Sequence, residues 1–205
     1  MSTEAMPLFS NLPALRLTLA YVLTEPSSLL PHYTIPTLLQ LPIPVSTVLG
    51  TSSRKPTIKA LVLDKDNTIC APETAIVHSA YRKKIEEIKL AKKLETELGL
   101  PVLRQQPGRK KPLCGPDVLQ YFRENGVTDD PAEIVFVGDR LATDVMVARE
   151  MGSWSIWCRD GWRSPEAPQQ DHRGVFARIE SSFESVMRER LGKAAPPPTA
   201  RTRTT

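Results

Sequence analysis

Asp64 and Asp66 end a short apolar run, LVLDKD, with one residue between them, and Asn67 and Thr68 follow at once. Two carboxylates that close repel each other and lose hydration beside a core, so the pair calls for a cation or for a reaction that uses it. A later apolar run, EIVFVGD, also ends on an acid, Asp139, and Asp144 follows one loop on. Lys110 and Lys111 lie between the two runs, directly before Pro112. Acids that converge with a lysine suit a hard cation together with a phosphate. Mg²⁺ takes oxygen ligands and shares them with substrate phosphate, and the lysine offsets the remaining negative charge. A lone Asp-x-Asp fits a solvated acidic loop equally well; the second acid-tipped strand, VGDRLATD, makes the set specific. Asp144 also suits the start of a helix, where the dipole favours an acid.

The elements that must position these residues are those of an α/β domain. KALVLD (59–64), LPVLR (100–104), EIVFVGD (133–139) and SWSIWC (153–158) read as strands. Between them, residues 78–99 place Tyr81, Ile85, Ile88, Ala91, Leu94 and Leu98 at steps of three and four, which predicts an amphipathic helix stopped at Gly99. GPDVLQYFRENG (115–126) and TDVMVAREMG (143–152) read as two further helices. Alternating strands and helices predict a parallel sheet with helices on both faces. In such sheets function gathers at the carboxyl ends of the strands, where Asp64, Asp66 and Asp139 stand.

The 205 residues suffice for one ordinary domain with extensions, and 40% hydrophobic against 24% charged residues is a globular composition. A net charge of +4 fits an acidic partner such as a phosphorylated substrate or an anionic membrane surface. No aromatic-basic motif supports nucleic-acid binding. Cys70, Cys114 and Cys158 lack paired spacing and predict neither a disulfide framework nor a zinc site. No apolar run reaches the roughly 20 residues that cross a bilayer, and the N-terminus has no Arg-rich presequence or secretory signal pattern.

Residues 1–55 read as an apolar, Pro-rich extension ahead of a domain spanning 56–190, with 191–205 a disordered tail. The extension either packs over the domain or lies in lipid headgroups, since its prolines forbid a long regular helix. Trp154, Trp157 and Trp162 read as rings of a strand, with an interfacial aromatic belt as the alternative. His32, His78 and His172 are dispersed and read as structural.

LVLDKDNT, KKP and VGDRLATD resemble motifs one, three and four of the haloacid dehalogenase superfamily of phosphatases. With LPIP, GLPVLR and VGDRLATDVMVAREMGSWSIWCRDG, the likeness extends over roughly residues 10–165 to the mitochondrial phosphatidylglycerophosphate phosphatase family, in the subclass without a large cap. The resemblance implies a three-layer, Rossmann-like parallel sheet and a Mg²⁺-dependent phosphatase. Its substrate would be phosphatidylglycerophosphate, on the way to cardiolipin, at the matrix side of the mitochondrial inner membrane. It also implies roles. Asp64 would be the nucleophile, and Asp66 the acid and then the base. Asp64, the Asp66 carbonyl and Asp139 would hold Mg²⁺ with Asp144 in support. Lys111 would be the motif-three lysine, with Lys110 and Thr68 contacting substrate. The alternatives are a soluble phosphatase of a small phosphoester and a catalytically impaired, membrane-peripheral binding module.

One family element has no counterpart. The second motif, a Ser or Thr at the end of an apolar second strand, hydrogen-bonds the transferring phosphoryl group. Between Asp66 and Lys110 the hydroxyls are Thr68, Thr74, Ser79 and Thr96, and none ends such a strand. The sheet is therefore expected to lack one family strand. Gln105 or Gln106 stands near enough in sequence to fill the vacant donor position.

Overall fold

A computed structural model describes residues 12–93, 111–166 and 174–199. The strands are β1 (Tyr33–Ile35), β2 (Ala60–Leu63), β3 (Ile134–Gly138) and β4 (Trp154–Cys158). They form one parallel sheet in the order β1-β4-β3-β2. The helices are α1 (Leu12–Thr24), α2 (Ser79–Lys93), α3 (Gly115–Glu124), α4 (Met146–Met151) and α5 (Val175–Ser185).

Side chains alternate across the sheet, as a pleated strand requires. Leu61, Val135, Val137 and Ile156 pack on one face with Tyr81 and Ile88 of α2 and with Leu38, Leu41 and Leu49. Ala60, Ile134 and Phe136 pack on the other with Val118 and Phe122 of α3 and with Val147, Ala148 and Met151 of α4. Burial on both faces accounts for the unbroken apolar runs of β2 and β3. The expected α/β class and helix-covered parallel sheet are present.

The extension is part of this sheet. β1, from the segment read as a Pro-rich extension, pairs with β4 in the register Thr34↔Trp157 and forms an edge strand. The rest of that segment holds α1 and three short 3-10 turns, in keeping with its prolines. The C-terminal tail also makes specific contacts. His32 hydrogen-bonds the Pro196 carbonyl at 3.0 Å, and the Lys193 amide donates to the Met187 carbonyl at 2.9 Å. The expected strand 100–104, the far end of the helix beyond Lys93, and residues 200–205 lie outside the described residues.

The tryptophans belong to the fold. Trp157 is fully buried, Trp154 packs edge-on against His32, and Trp162 stacks on Tyr81. An interfacial belt made of these rings is therefore replaced by core packing. All three cysteines are buried and unpaired. No helix among the described residues is long and apolar enough to cross a membrane.

Candidate active site

Parallel pairing brings the carboxyl ends of β2 and β3 side by side. Leu63 pairs with Val137, and the Asp64 amide continues the ladder by donating to the Val137 carbonyl at 2.8 Å. Asp64 thus leaves the sheet beside Asp139. The end of β3 is held in turn by Trp157, whose indole N–H donates to the Asp139 carbonyl at 2.8 Å.

Asp144 enters from a single π-helical turn, Leu141–Val145, that leads into α4. Its Oδ2 accepts from the Arg140 amide at 3.1 Å, and its own amide donates to the Arg140 carbonyl at 3.0 Å. The carboxylate then lies against β3 itself, a position open only because residue 138 is glycine. A β-carbon there would stand 2.2 Å from Asp144 Cγ.

Carboxylate oxygens of Asp64, Asp139 and Asp144 all lie within 4.8 Å of one another. Lys111, on the segment entering α3, joins them. Its Nζ donates to Asp144 Oδ1 at 2.5 Å and to Asp64 Oδ1. Asp144 and Asp139 are withdrawn from water, at 4% and 7% exposure, while Asp64 and Lys111 are half-buried.

Burial dominates the electrostatics. It raises the Asp64 pKa, helped by the Asp144 charge and opposed by Lys111. Burial, then Asp144, pushes Asp139 up to about 7, while the Asn67 amide pulls the other way. Burial alone would lower the Lys111 pKa, but Asp144 and Asp64 outweigh it and hold the ammonium charged. Three acids thus share one lysine, which touches two of them. The uncompensated charge falls on Asp139.

That surplus, on oxygen donors alone, suits a hard divalent cation, and Asp64, Asp139 and Asp144 are the side chains that fit one. The Asp66 side chain is not in this group. It is exposed and paired with Lys65 at 2.8 Å. Thr68 is fully buried, and its Oγ1 has no hydrogen-bond partner among the described residues. Lys110 lies outside the described residues.

Sequence reasoning missed three supports. Asn67 donates from Nδ2 to Asp139 Oδ2 at 2.6 Å. Gly138 admits Asp144, and Gly161 lies against Asn67. The available signals were an Asn directly after Asp-x-Asp, a residue type that tolerates left-handed backbone, and glycines beside Asp139 and in the RDG turn.

Comparison with known proteins agrees with this arrangement. The chain matches the family described as mitochondrial PGP phosphatase over residues 12–92 and 87–163. The two matches meet at the junction where the second motif is missing. The chain is 35% identical over 164 residues to the mitochondrial phosphatidylglycerophosphatase of Saccharomyces cerevisiae, covering 68% of this chain and 83% of that protein. It is 32% identical over 163 residues to a probable mitochondrial phosphatidylglycerophosphatase of Schizosaccharomyces pombe, covering 67% and 77%. No solved structure gives a significant match. With the family matched across residues 12–163 and the acid cluster in place, this chain belongs to the mitochondrial PGP phosphatase family.

Proposed function

We propose that this chain is a Mg²⁺-dependent phosphatase that converts phosphatidylglycerophosphate to phosphatidylglycerol, a step toward cardiolipin, at the matrix side of the mitochondrial inner membrane. The observation that carries the reading is the Lys111 ammonium bridging Asp64 and Asp144 beside Asp139.

Asp64 attacks phosphorus through a carboxylate oxygen, and the bond from phosphorus to the glycerol oxygen breaks. Asp66 gives its proton to the departing alkoxide. It then takes a proton from the water that hydrolyses the aspartyl-phosphate, which releases phosphate and restores Asp64. Asp66 stands two residues along the same turn, and its exposure lets it meet a substrate arriving from solvent. Lys111 neutralises charge on the transferring group and orients Asp64. Asp64, Asp139 and Asp144, with the Asp66 carbonyl, would hold Mg²⁺, which supplies further neutralisation of phosphoryl charge when bound.

Peripheral membrane association belongs to the same reading. Leu19 and Leu23 on α1, and Val175, Phe176 and Ile179 on α5, are large apolar side chains exposed to solvent. Leu17 of α1 and Phe183 of α5 both pack around Met146, directly after the turn that carries Asp144. Apolar side chains exposed on two helices of the same domain suit a substrate that sits in a bilayer.

The test is Mg²⁺-dependent phosphate release from phosphatidylglycerophosphate in mixed micelles, with a soluble phosphoester alongside and Asp64→Asn as control. Release from the lipid, abolished by the substitution, supports the proposal. Release from the soluble ester alone favours a small-molecule phosphatase.

The missing second motif favours one other reading, a membrane-bound module with an impaired site. Loss of one phosphoryl donor costs on the order of 10²- to 10³-fold in rate if it acts as an oxyanion-hole group does. Binding to anionic liposomes with no release from either ester marks that outcome.

A further inference from the structure

Asn67 sits outside the group of acids and does three unusual things at once. Its backbone is left-handed, at φ 58°. Its Nδ2 donates to Asp139 Oδ2 at 2.6 Å, and its Oδ1 is buried with no hydrogen-bond partner among the described residues. The amide orientation is fixed chemically, because turning Oδ1 toward the Asp139 carboxylate would oppose two acceptors.

A buried amide oxygen without a partner is costly, and the fold has built a close wall around it. Gly161, at φ +65°, lies so near that a β-carbon would stand 2.5 Å from Asn67 Nδ2 and 3.1 Å from the Asn67 carbonyl oxygen. The turn after β4 thus leaves room for the amide only because residue 161 has no side chain, and Asp139 accepts from that amide. Among the described residues Asp139 touches no lysine, and Asn67 is the side chain that hydrogen-bonds its carboxylate.

We propose that Asn67 is a positioning residue for the divalent cation. Its amide N–H locks the Asp139 carboxylate in its binding orientation. Gly161 supplies the space the amide occupies. This rests on the cation reading above and goes beyond it, because it assigns cation affinity to a residue that is not itself an acid.

The experiment measures Mg²⁺ binding to the full-length chain by calorimetry, without substrate, in wild type, Asn67→Gly and Gly161→Ala. Glycine accepts φ 58° freely, so Asn67→Gly removes the side chain without straining the turn. Groups that orient a ligand typically contribute 10- to 100-fold to metal affinity. Asn67→Gly is therefore expected to weaken Mg²⁺ binding at least tenfold in a protein that still unfolds cooperatively without metal. Gly161→Ala, which crowds the Asn67 amide and also strains its own left-handed turn, is expected to weaken it as well. In the lipid phosphatase assay, Asn67→Gly should raise the Mg²⁺ concentration for half-maximal rate while kcat at saturating Mg²⁺ stays near wild type; a merely structural role would lower kcat instead. Wild-type affinity in Asn67→Gly overturns the inference. If wild type itself does not bind Mg²⁺, the cation reading fails, and this inference fails with it.

Discussion

Gly138 and Asp144 occupy space that a single methyl group would contest: a β-carbon on residue 138 would lie 2.2 Å from Asp144 Cγ and 2.4 Å from its Oδ2. The last residue of β3 therefore has no side chain because a carboxylate from the next turn lies across it. Gly138→Ala is expected to displace Asp144, and Lys111 with it, through their 2.5 Å contact. A misplacement of about 1 Å at a reacting group costs on the order of 10²-fold in rate. The strain of overpacking adds about 1–3 kcal/mol of lost stability. Steady-state phosphatase assays and urea melts on the same preparation check both, and full activity in Gly138→Ala would show that Asp144 is not needed where it lies.

Asp139 yields a prediction of opposite sign. Its folded pKa, about 7, lies well above the 3.8 of a free aspartate. The folded protein therefore holds this proton more tightly than the unfolded chain does, and metal-free stability falls as pH rises from about 4 to 7. By the usual conversion, the full cost above pH 7 is about 4 kcal/mol. Asp139→Asn is expected to stabilise the metal-free protein by about 2–4 kcal/mol at pH 8, with the gain vanishing near pH 4. Millimolar Mg²⁺ should then stabilise wild type and not the variant. Urea denaturation at two pH values, with and without Mg²⁺, reads all four quantities. A variant less stable than wild type at pH 8 without metal contradicts the account.

How much of this could be read from the sequence divides along physical lines. The acids were legible because each ends an unbroken apolar run, and parallel pairing of β2 with β3 must bring such ends together. β1 was not legible. It is three residues long, Pro36 follows it at once, and its partner β4 lies more than a hundred residues away. α1 left a weak signal because its apolar residues run all round the helix with little polar contrast. α5 does carry an apolar stripe, Phe176, Ile179 and Phe183, which sequence reasoning missed. Asn67 and Gly161 were invisible for another reason. Their importance is a contact between two turns, and no local pattern encodes the distance between them. Tail contacts such as His32 with Pro196 are likewise set by tertiary structure, which composition cannot report.

Lys111 is the cation on which the buried acids depend. Its side chain is 18% exposed, and it contacts Asp64 and Asp144 together. Lys111→Met leaves two carboxylates facing each other without a counter-charge, and breaking a buried pair in this way costs about 3–5 kcal/mol. The loss should be present at neutral pH, because the folded Lys111 pKa is raised and the ammonium is charged throughout that range. Lys111→Met/Asp144→Asn should regain part of the stability and none of the activity. Lys111→Arg should not rescue turnover, since a planar guanidinium cannot replace a compact ammonium between two carboxylates. Chemical denaturation and phosphate release separate these effects. A stable, active Lys111→Met protein would remove Lys111 from the site.

His32 lies far from this chemistry in sequence and ties the tail to the sheet. Its Nδ1 accepts from the Ser155 amide at 3.0 Å, so the ring proton sits on Nε2, which faces the Pro196 carbonyl at 3.0 Å. Only this neutral tautomer fits, because a proton on Nδ1 would meet the Ser155 N–H. Burial lowers the His32 pKa from 6.5 to about 4; the Pro196 carbonyl opposes that shift, and Arg149 and Arg188 reinforce it. The unfolded chain therefore takes up a proton near pH 6.5 that the folded one refuses until about pH 4. Stability falls as pH drops through that window, by about 3 kcal/mol in all. His32→Gln lacks this titration. It is expected to be about 1 kcal/mol less stable than wild type at pH 7, where hydrogen bonds are lost, and more stable at pH 4.5. The difference between the two proteins, taken from urea melts at each pH, isolates His32 from the carboxylates that titrate in both. If that difference stays constant from pH 7 to 4.5, the imidazole is not held neutral in the fold, and the bond to Pro196 is not what secures the tail.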